Sequence, residues 1–291
     1  TYTELIMGLP GETYTSSKKG IDTLFDVRAD SVNLYVHACV ALPNSEMSDR
    51  LYTRMHGIKT VRMPILLAHS TPELGGIEEY NDVIIETKTM PHKEWPRTYM
   101  FYWAIQGLHC LGPLKKVAMF FHKTAGLAYS DFYEKVVEYF IARPESLIGK
   151  EILAKEEVLR AAVGGGRLDI VNQDYGNVYW PLEEASFLHF VTNKQQFYAE
   201  IRQFVGELMT EQPDKLPSKV LDDVVAYQSY ILKDPSTRAE SLVLSYNVVS
   251  GLEESGDETV WLKESPVQLE VRGSDYFGGD VERYAREVVW Y

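Results

Sequence analysis

The 291-residue sequence predicts an α/β fold that gives way to a mainly helical region. Three observations carry this. A strand pattern, a capped helix and a second strand follow one another within residues 2–42. Residues 31–42 alternate between apolar and polar side chains, the period of a strand. From about 105–125 onward the apolar spacing turns helical, and a β-like stretch returns only after residue 241. We therefore divide the chain into an α/β part, 1–105, and a mainly helical part with a short β-containing segment, 106–291.

Residues 2–8 read as a strand that ends at Leu9-Pro10-Gly11, where Pro removes a ladder donor and Gly permits a turn. Thr13 or Thr15 then caps a helix running to about Phe25, with Ile21, Leu24 and Phe25 on its apolar side. Pro43 stops the second strand. Strand, helix and strand within this span form a βαβ unit, so the two strands are expected to be parallel. A short helix over 48–56, N-capped by Ser48 and stopped by Gly57, comes next, followed by strands over 58–68 and 82–89 joined by the loop 70–76. Residues 95–111 are helical and aromatic-rich. Further helices are expected over 131–141, 151–163 (closed by Gly164, Gly165 and Gly166), 187–191, 195–209 and 219–232, and β structure from 241 through 271.

Apolar residues make up 45% and charged residues 24%, as in a globular protein with a true core. The net charge of −13 disfavours nucleic acid and anionic membrane surfaces, both of which need clustered Lys and Arg. No apolar run approaches the ~20 residues of a membrane span. Cys39 and Cys110 cannot make a disulfide framework or a four-thiolate site, so a cytoplasmic setting is expected. The chain opens with Thr1 inside a strand pattern, which we read as the mark of a piece of a longer protein.

The most readable chemistry lies on the second strand. Val32, Leu34, Val36, Ala38, Val40 and Leu42 occupy one face. Asn33, Tyr35, His37 and Cys39 occupy the other, and all four can hydrogen bond or ligate. A strand inside a βαβ unit is normally covered by apolar groups on both sides. A polar face there points to a cleft or barrel lumen. On the first strand, Glu4, Ile6 and Gly8 share a face, and Gly8 lets a flat ligand or another backbone approach.

The stretch Glu4-Leu-Ile-Met-Gly-Leu-Pro-Gly-Glu-Thr13 resembles the fifth-strand motif of radical SAM enzymes. The resemblance implies that Ile6 and Gly8 lie beside the adenine of S-adenosylmethionine (SAM). Glu4 stands where the usual pattern has a first Gly. Residues 33–47, with Pro43-Asn44-Ser45-Glu46-Met47, are similar to the sixth strand and its exit, which brings Leu42 and Asn44 to the adenine. The segments Ile58-Lys-Thr-Val-Arg62, Ile85-Glu-Thr-Lys-Thr-Met90 with Trp95, and Leu108-His-Cys-Leu111 resemble the subset that also binds cobalamin. The likeness runs from about residue 2 to 141. It implies the last strands of a (β/α) half-barrel and a small-molecule substrate. By strand alternation the substrate- or lumen-facing residues would be Glu4, Asn33, Tyr35, His37, Cys39, Glu86 and Lys88, the last two reading equally as a surface ion pair. The Cys-x₃-Cys-x₂-Cys loop for a [4Fe–4S] cluster has no counterpart in this sequence, nor has a cobalamin domain. Cluster and cobalamin would thus belong to the parent enzyme, and this chain alone is expected to be inactive. A coproporphyrinogen-oxidase-type radical SAM protein and a non-catalytic binding remnant are the alternatives. A first strand without its outer neighbour would also leave an edge prone to self-association.

Other candidates have plainer uses. His109 and Cys110, with His122, are expected to be structural, and 99–103 to be core. The acidic pairs Asp222-Asp223 and Glu253-Glu254 are expected on solvated faces.

Overall fold

The computed structural model describes residues 2–72, 75–210, 216–236, 241–252, 261, 263–270 and 277–289. Strand β1 (Tyr2–Met7) leads into α1 (Tyr14–Arg28) and β2 (Asn33–Ala38). Thr13 is the N-cap of α1: its side chain accepts from the Ser16 N–H while Ser16 accepts from the Thr13 N–H. Ile21 and Phe25 on the buried side of α1 pack beneath the β1–β2 pair with Met7 and Leu34. The two strands are parallel, as the βαβ spacing requires.

The next helix, α2 (Arg50–His56), is capped one residue later than expected. Asp49 accepts from the Leu51 and Tyr52 N–H groups, while Ser48 lies in a 3₁₀ turn. Gly57 ends α2 at φ 65°. Strands β3 (Lys59–Pro64) and β4 (Tyr80–Glu86) form an antiparallel hairpin. Both differ from the expected spans because β3 stops at Pro64 and the Thr87 hydroxyl caps a turn at Met90. The Ala41 N–H donates to Asp82 O and the Ile84 N–H to Cys39 O, each at 2.8 Å. These bonds join the pairs in the order β1-β2-β4-β3. The result is a short mixed sheet without a closed barrel among the described residues.

Helix α3 (Glu94–Ala104) passes into a π-helical turn, Ile105–Cys110. The extra residue in that turn lets Gln106 offer its Oε1 to the Val36 N–H at 2.8 Å, in place of a neighbouring strand. Helices α4 (Lys115–Ala125), α5 (Tyr129–Ile141) and α6 (Leu147–Ala162) follow. A hairpin of β5 (Asp169–Asn172) and β6 (Val178–Pro181) precedes α7 (Leu182–Thr192), α8 (Lys194–Thr210) and α9 (Ser218–Ile231). The last pieces are β7 (Ser241–Leu244), a helical turn α10 (Val248–Gly251), β8 (Val267–Glu270) and α11 (Val281–Tyr284). One cluster of buried apolar side chains runs from Met7 to Val289 and takes in both parts of the chain.

Several side chains behave differently from expectation. Asp223 is not solvated: it is buried and accepts from the Ser245 and Tyr246 N–H groups, pinning the exit of β7 to α9. Asp222 pairs with Arg202. Glu253, Glu254 and Val271 lie outside the described residues. His109 is fully buried, stacked 4.1 Å from Phe25, and bonded to the Tyr133 hydroxyl and Ala29 O. Burial pushes its imidazole down to about 3, so it is neutral and structural.

Candidate functional site

The parallel register places Tyr2 beside Asn33, Glu4 beside Tyr35 and Ile6 beside His37. All six side chains are exposed, while Leu5, Met7, Leu34 and Val36 face the core. The alternation read from the sequence therefore resolves into one open face, and Glu4, Ile6, Asn33, Tyr35 and His37 share it. Ile6 is 49% exposed, far more than an apolar strand residue needs to be in a covered sheet. The Tyr2 and Tyr35 rings meet edge to face at 6.1 Å, making an aromatic wall beside Glu4. No ion pair or side-chain hydrogen bond ties Glu4, Asn33, Tyr35 or His37 among the described residues.

The upper end of the same face is roofed. Cys39 is buried with Ala41, Ile58 and Ile84, and Met47 and Tyr52 cover this group. Burial, with Glu12 nearby, pushes the Cys39 thiol up to about 11, so it is protonated at neutral pH. Gly8 is also buried and holds φ 95°, a conformation that favours glycine. Its N–H donates to Glu12 Oε2 at 2.5 Å. The other Glu12 oxygen accepts from the Ser17 hydroxyl at 2.7 Å and the Tyr102 hydroxyl at 3.4 Å. Glu12 thus fixes the turn after β1 by hydrogen bonds alone. The sequence signal for this is a carboxylate four residues beyond a strand-ending glycine.

Trp95, at the start of α3, lies beside Gly8. A side chain at residue 8 would put its Cβ 3.5 Å from Ile84 O, 3.8 Å from Cys39 Cβ and 4.0 Å from the Trp95 indole nitrogen. Trp95 is fully buried and its indole N–H has no hydrogen-bond partner.

The remaining candidates lie elsewhere. Leu42 is 58% exposed, and its carbonyl is taken up by the Ser45 N–H and the Ser45 and Ser48 hydroxyls. Asn44 holds φ 67° in this turn. Glu86 is engaged by Lys59 at 2.6 Å rather than by Lys88, which is exposed beyond the end of β4.

A second polar centre, absent from the sequence reading, sits between α6 and α7. Glu151 accepts from His189 Nδ1 at 2.6 Å, Lys155 Nζ at 2.8 Å and the Ser186 hydroxyl at 2.8 Å. Trp103 Nε1 donates to the Ser186 oxygen at 3.1 Å. Burial alone would raise the Glu151 carboxyl, but its hydrogen bonds and the Lys155 ammonium outweigh this and hold it down at about 2.

Among the described residues no group of three or more His, Cys, Asp or Glu side chains could hold a metal ion. Burial pushes Cys110 up to about 12. Two protonated thiols do not fit an iron–sulfur cluster, which is held by several thiolates. No helix among the described residues is long and apolar enough to cross a membrane.

No protein-family model matches the chain. It is 26% identical over 254 residues to the cobalamin-dependent radical SAM methyltransferase TokK of Streptomyces tokunonensis, covering 82% of this chain and 36% of that protein. It is also 26% identical over 252 residues to the 2-(S-pantetheinyl)-carbapenam-3-carboxylate methyltransferase of Streptantibioticus cattleyicolor, covering 81% of this chain and 36% of the relative. Coverage of that size runs well past residue 141, so the likeness extends into the helical region. At this distant level the chain is similar to cobalamin-dependent radical SAM methyltransferases, and it spans 36% of the length of the relatives it matches.

Proposed function

We propose that this chain is part of a cobalamin-dependent radical SAM methyltransferase acting on a small molecule. In this reading it supplies a stretch of the parallel half-barrel and, behind it, the helical region. The SAM adenine lies over Ile6 with its edge at Gly8, and the Leu42–Asn44 exit flanks it. Glu4, Asn33, Tyr35 and His37 face the substrate. The [4Fe–4S] cluster and cobalamin are held by other parts of the enzyme, where they supply electron transfer and the methyl carrier. The free edge of β1, unpaired among the described residues, takes the neighbouring strand of the barrel or, failing that, another copy of the chain.

The single observation that carries the reading is the shared 26% identity with two methyltransferases over four-fifths of the chain. The open face supports it, because polar and apolar side chains stand exposed where a βαβ strand is normally covered. Nothing in the comparisons favours the coproporphyrinogen-oxidase-type or remnant alternatives.

Calorimetric titration with S-adenosylhomocysteine, a stable SAM analogue, tests it. The expected result is binding that Ile6→Arg removes while the melting temperature holds, since residue 6 is on the open face. Equal binding by wild type and variant, or none by either, contradicts the assignment.

A further inference from the structure

Beside Gly8 lies a buried donor that the fold itself does not use. Trp95 is fully enclosed, yet its indole N–H meets no acceptor. Buried indole N–H groups usually find a partner, and leaving one unpaired is costly. Trp261 is the other described tryptophan whose buried N–H has none, but it lies in the helical region, away from the sheet. Trp103 illustrates the rule, with its own N–H donated to Ser186. Trp95 lies at the C-terminal end of the parallel β1–β2 pair, the end where ligands of parallel α/β sheets bind. The space beside its nitrogen is the one a side chain at residue 8 would occupy. Ile6, two residues earlier on the same face, opens that end of the sheet to solvent.

We propose that the Trp95 indole N–H is a hydrogen-bond donor that reads an acceptor nitrogen on the edge of an adenine-type ring seated between Ile6 and Gly8. The inference rests on the SAM-binding assignment and adds a specificity-determining residue to it. A ring lying flat on Ile6 brings its edge to Gly8, where the missing Cβ leaves the closest approach to the indole nitrogen. Purines carry ring nitrogens with in-plane lone pairs, which match a single N–H donor aimed at the ring edge. A pyrimidine or a saturated ring presents a shorter edge or no such acceptor.

The test is the indole N–H spectrum of the ¹⁵N-labelled chain, which has five tryptophans. The Trp95 resonance is assigned by its loss in Trp95→Phe. Adenosine at millimolar concentration is expected to move that proton downfield and to move the backbone signals of Ile6 and Gly8. Of 1-deaza-, 3-deaza- and 7-deazaadenosine, the one lacking the acceptor is expected to bind without the indole shift. Trp95→Phe should weaken adenosine about three- to tenfold, the worth of one hydrogen bond. Shifts at Ile6 and Gly8 with an unmoved Trp95 proton would overturn the inference and leave the site assignment standing. An unmoved proton already far downfield without ligand would do the same, by showing that water satisfies it. No shift at Ile6, Gly8 or Trp95 would overturn both.

Discussion

The open face of the β1–β2 pair and the polar centre between α6 and α7 use similar side chains to opposite ends. In the helical centre every polar group is occupied: Glu151 holds His189, Lys155 and Ser186, and Ser186 holds Trp103. On the sheet face Glu4, Asn33, Tyr35 and His37 are exposed and make no ion pair or side-chain hydrogen bond among the described residues. A buried charge kept by several partners is costly to disturb, whereas an exposed, unengaged one contributes little to folding. The polar residues of the helical centre therefore serve the fold, and those of the sheet face are free for a ligand.

The sharpest way to break this contrast is at Glu151. Glu151→Ala leaves Lys155, 3% exposed, without its counter-charge. A loss of about 3–5 kcal/mol is expected in chemical denaturation. A change below about 1 kcal/mol would show that the centre is not structural.

Acid comes next. The folded pKa of His109 is about 3, against an ordinary 6.5. Below pH 6.5 the unfolded chain takes up a proton that the folded chain refuses, so stability falls as pH drops toward 3. Glu151, at about 2 against an ordinary 4.5, adds a further loss as pH falls below 4.5. Between pH 6.5 and 5 the His109 contribution is about 2 kcal/mol, at 1.4 kcal/mol per unit. His109→Gln should flatten stability over that window, and an unchanged slope would place the titrating group elsewhere.

The smallest effects belong to the open face. Tyr35→Ser and His37→Ala are expected to change stability by no more than about 0.5 kcal/mol, as unengaged surface positions do. On the proposed function, the same variants should weaken substrate binding by the parent enzyme. A drop in melting temperature of several degrees would mean that the face is covered within the protein.

How much of this was legible in the sequence follows from the kind of signal each element carries. The β1–α1–β2 unit announced itself through period-2 alternation, a Pro-Gly stop and Thr13 as cap, all local in sequence. Helix α4 escaped because it starts after Gly112 and Pro113 with Leu114 at its N-cap and no capping side chain. Strands β5 and β6 are four residues each, too short for a period to register. The π-helical turn keeps a helical apolar pattern and differs only in its bonding. Asp223 looked like half of a solvated pair because its partners, Ser245 and Tyr246, lie 22 and 23 residues away. On the site, the shared face was readable from parity alone. Gly8, Cys39, Ile84 and Trp95 come together only in three dimensions, so their meeting was not.

Photolabelling with 8-azidoadenosine, followed by tryptic mass mapping, tests the central assignment most directly. Label is expected on the peptide ending at Lys18, which carries Ile6 and Gly8, or on the one ending at Arg50, which carries β2 and Asn44. Protection by S-adenosylhomocysteine should accompany it. Label confined to peptides of the helical region, unaffected by that competitor, would contradict the placement of the adenine on the open face of β1 and β2.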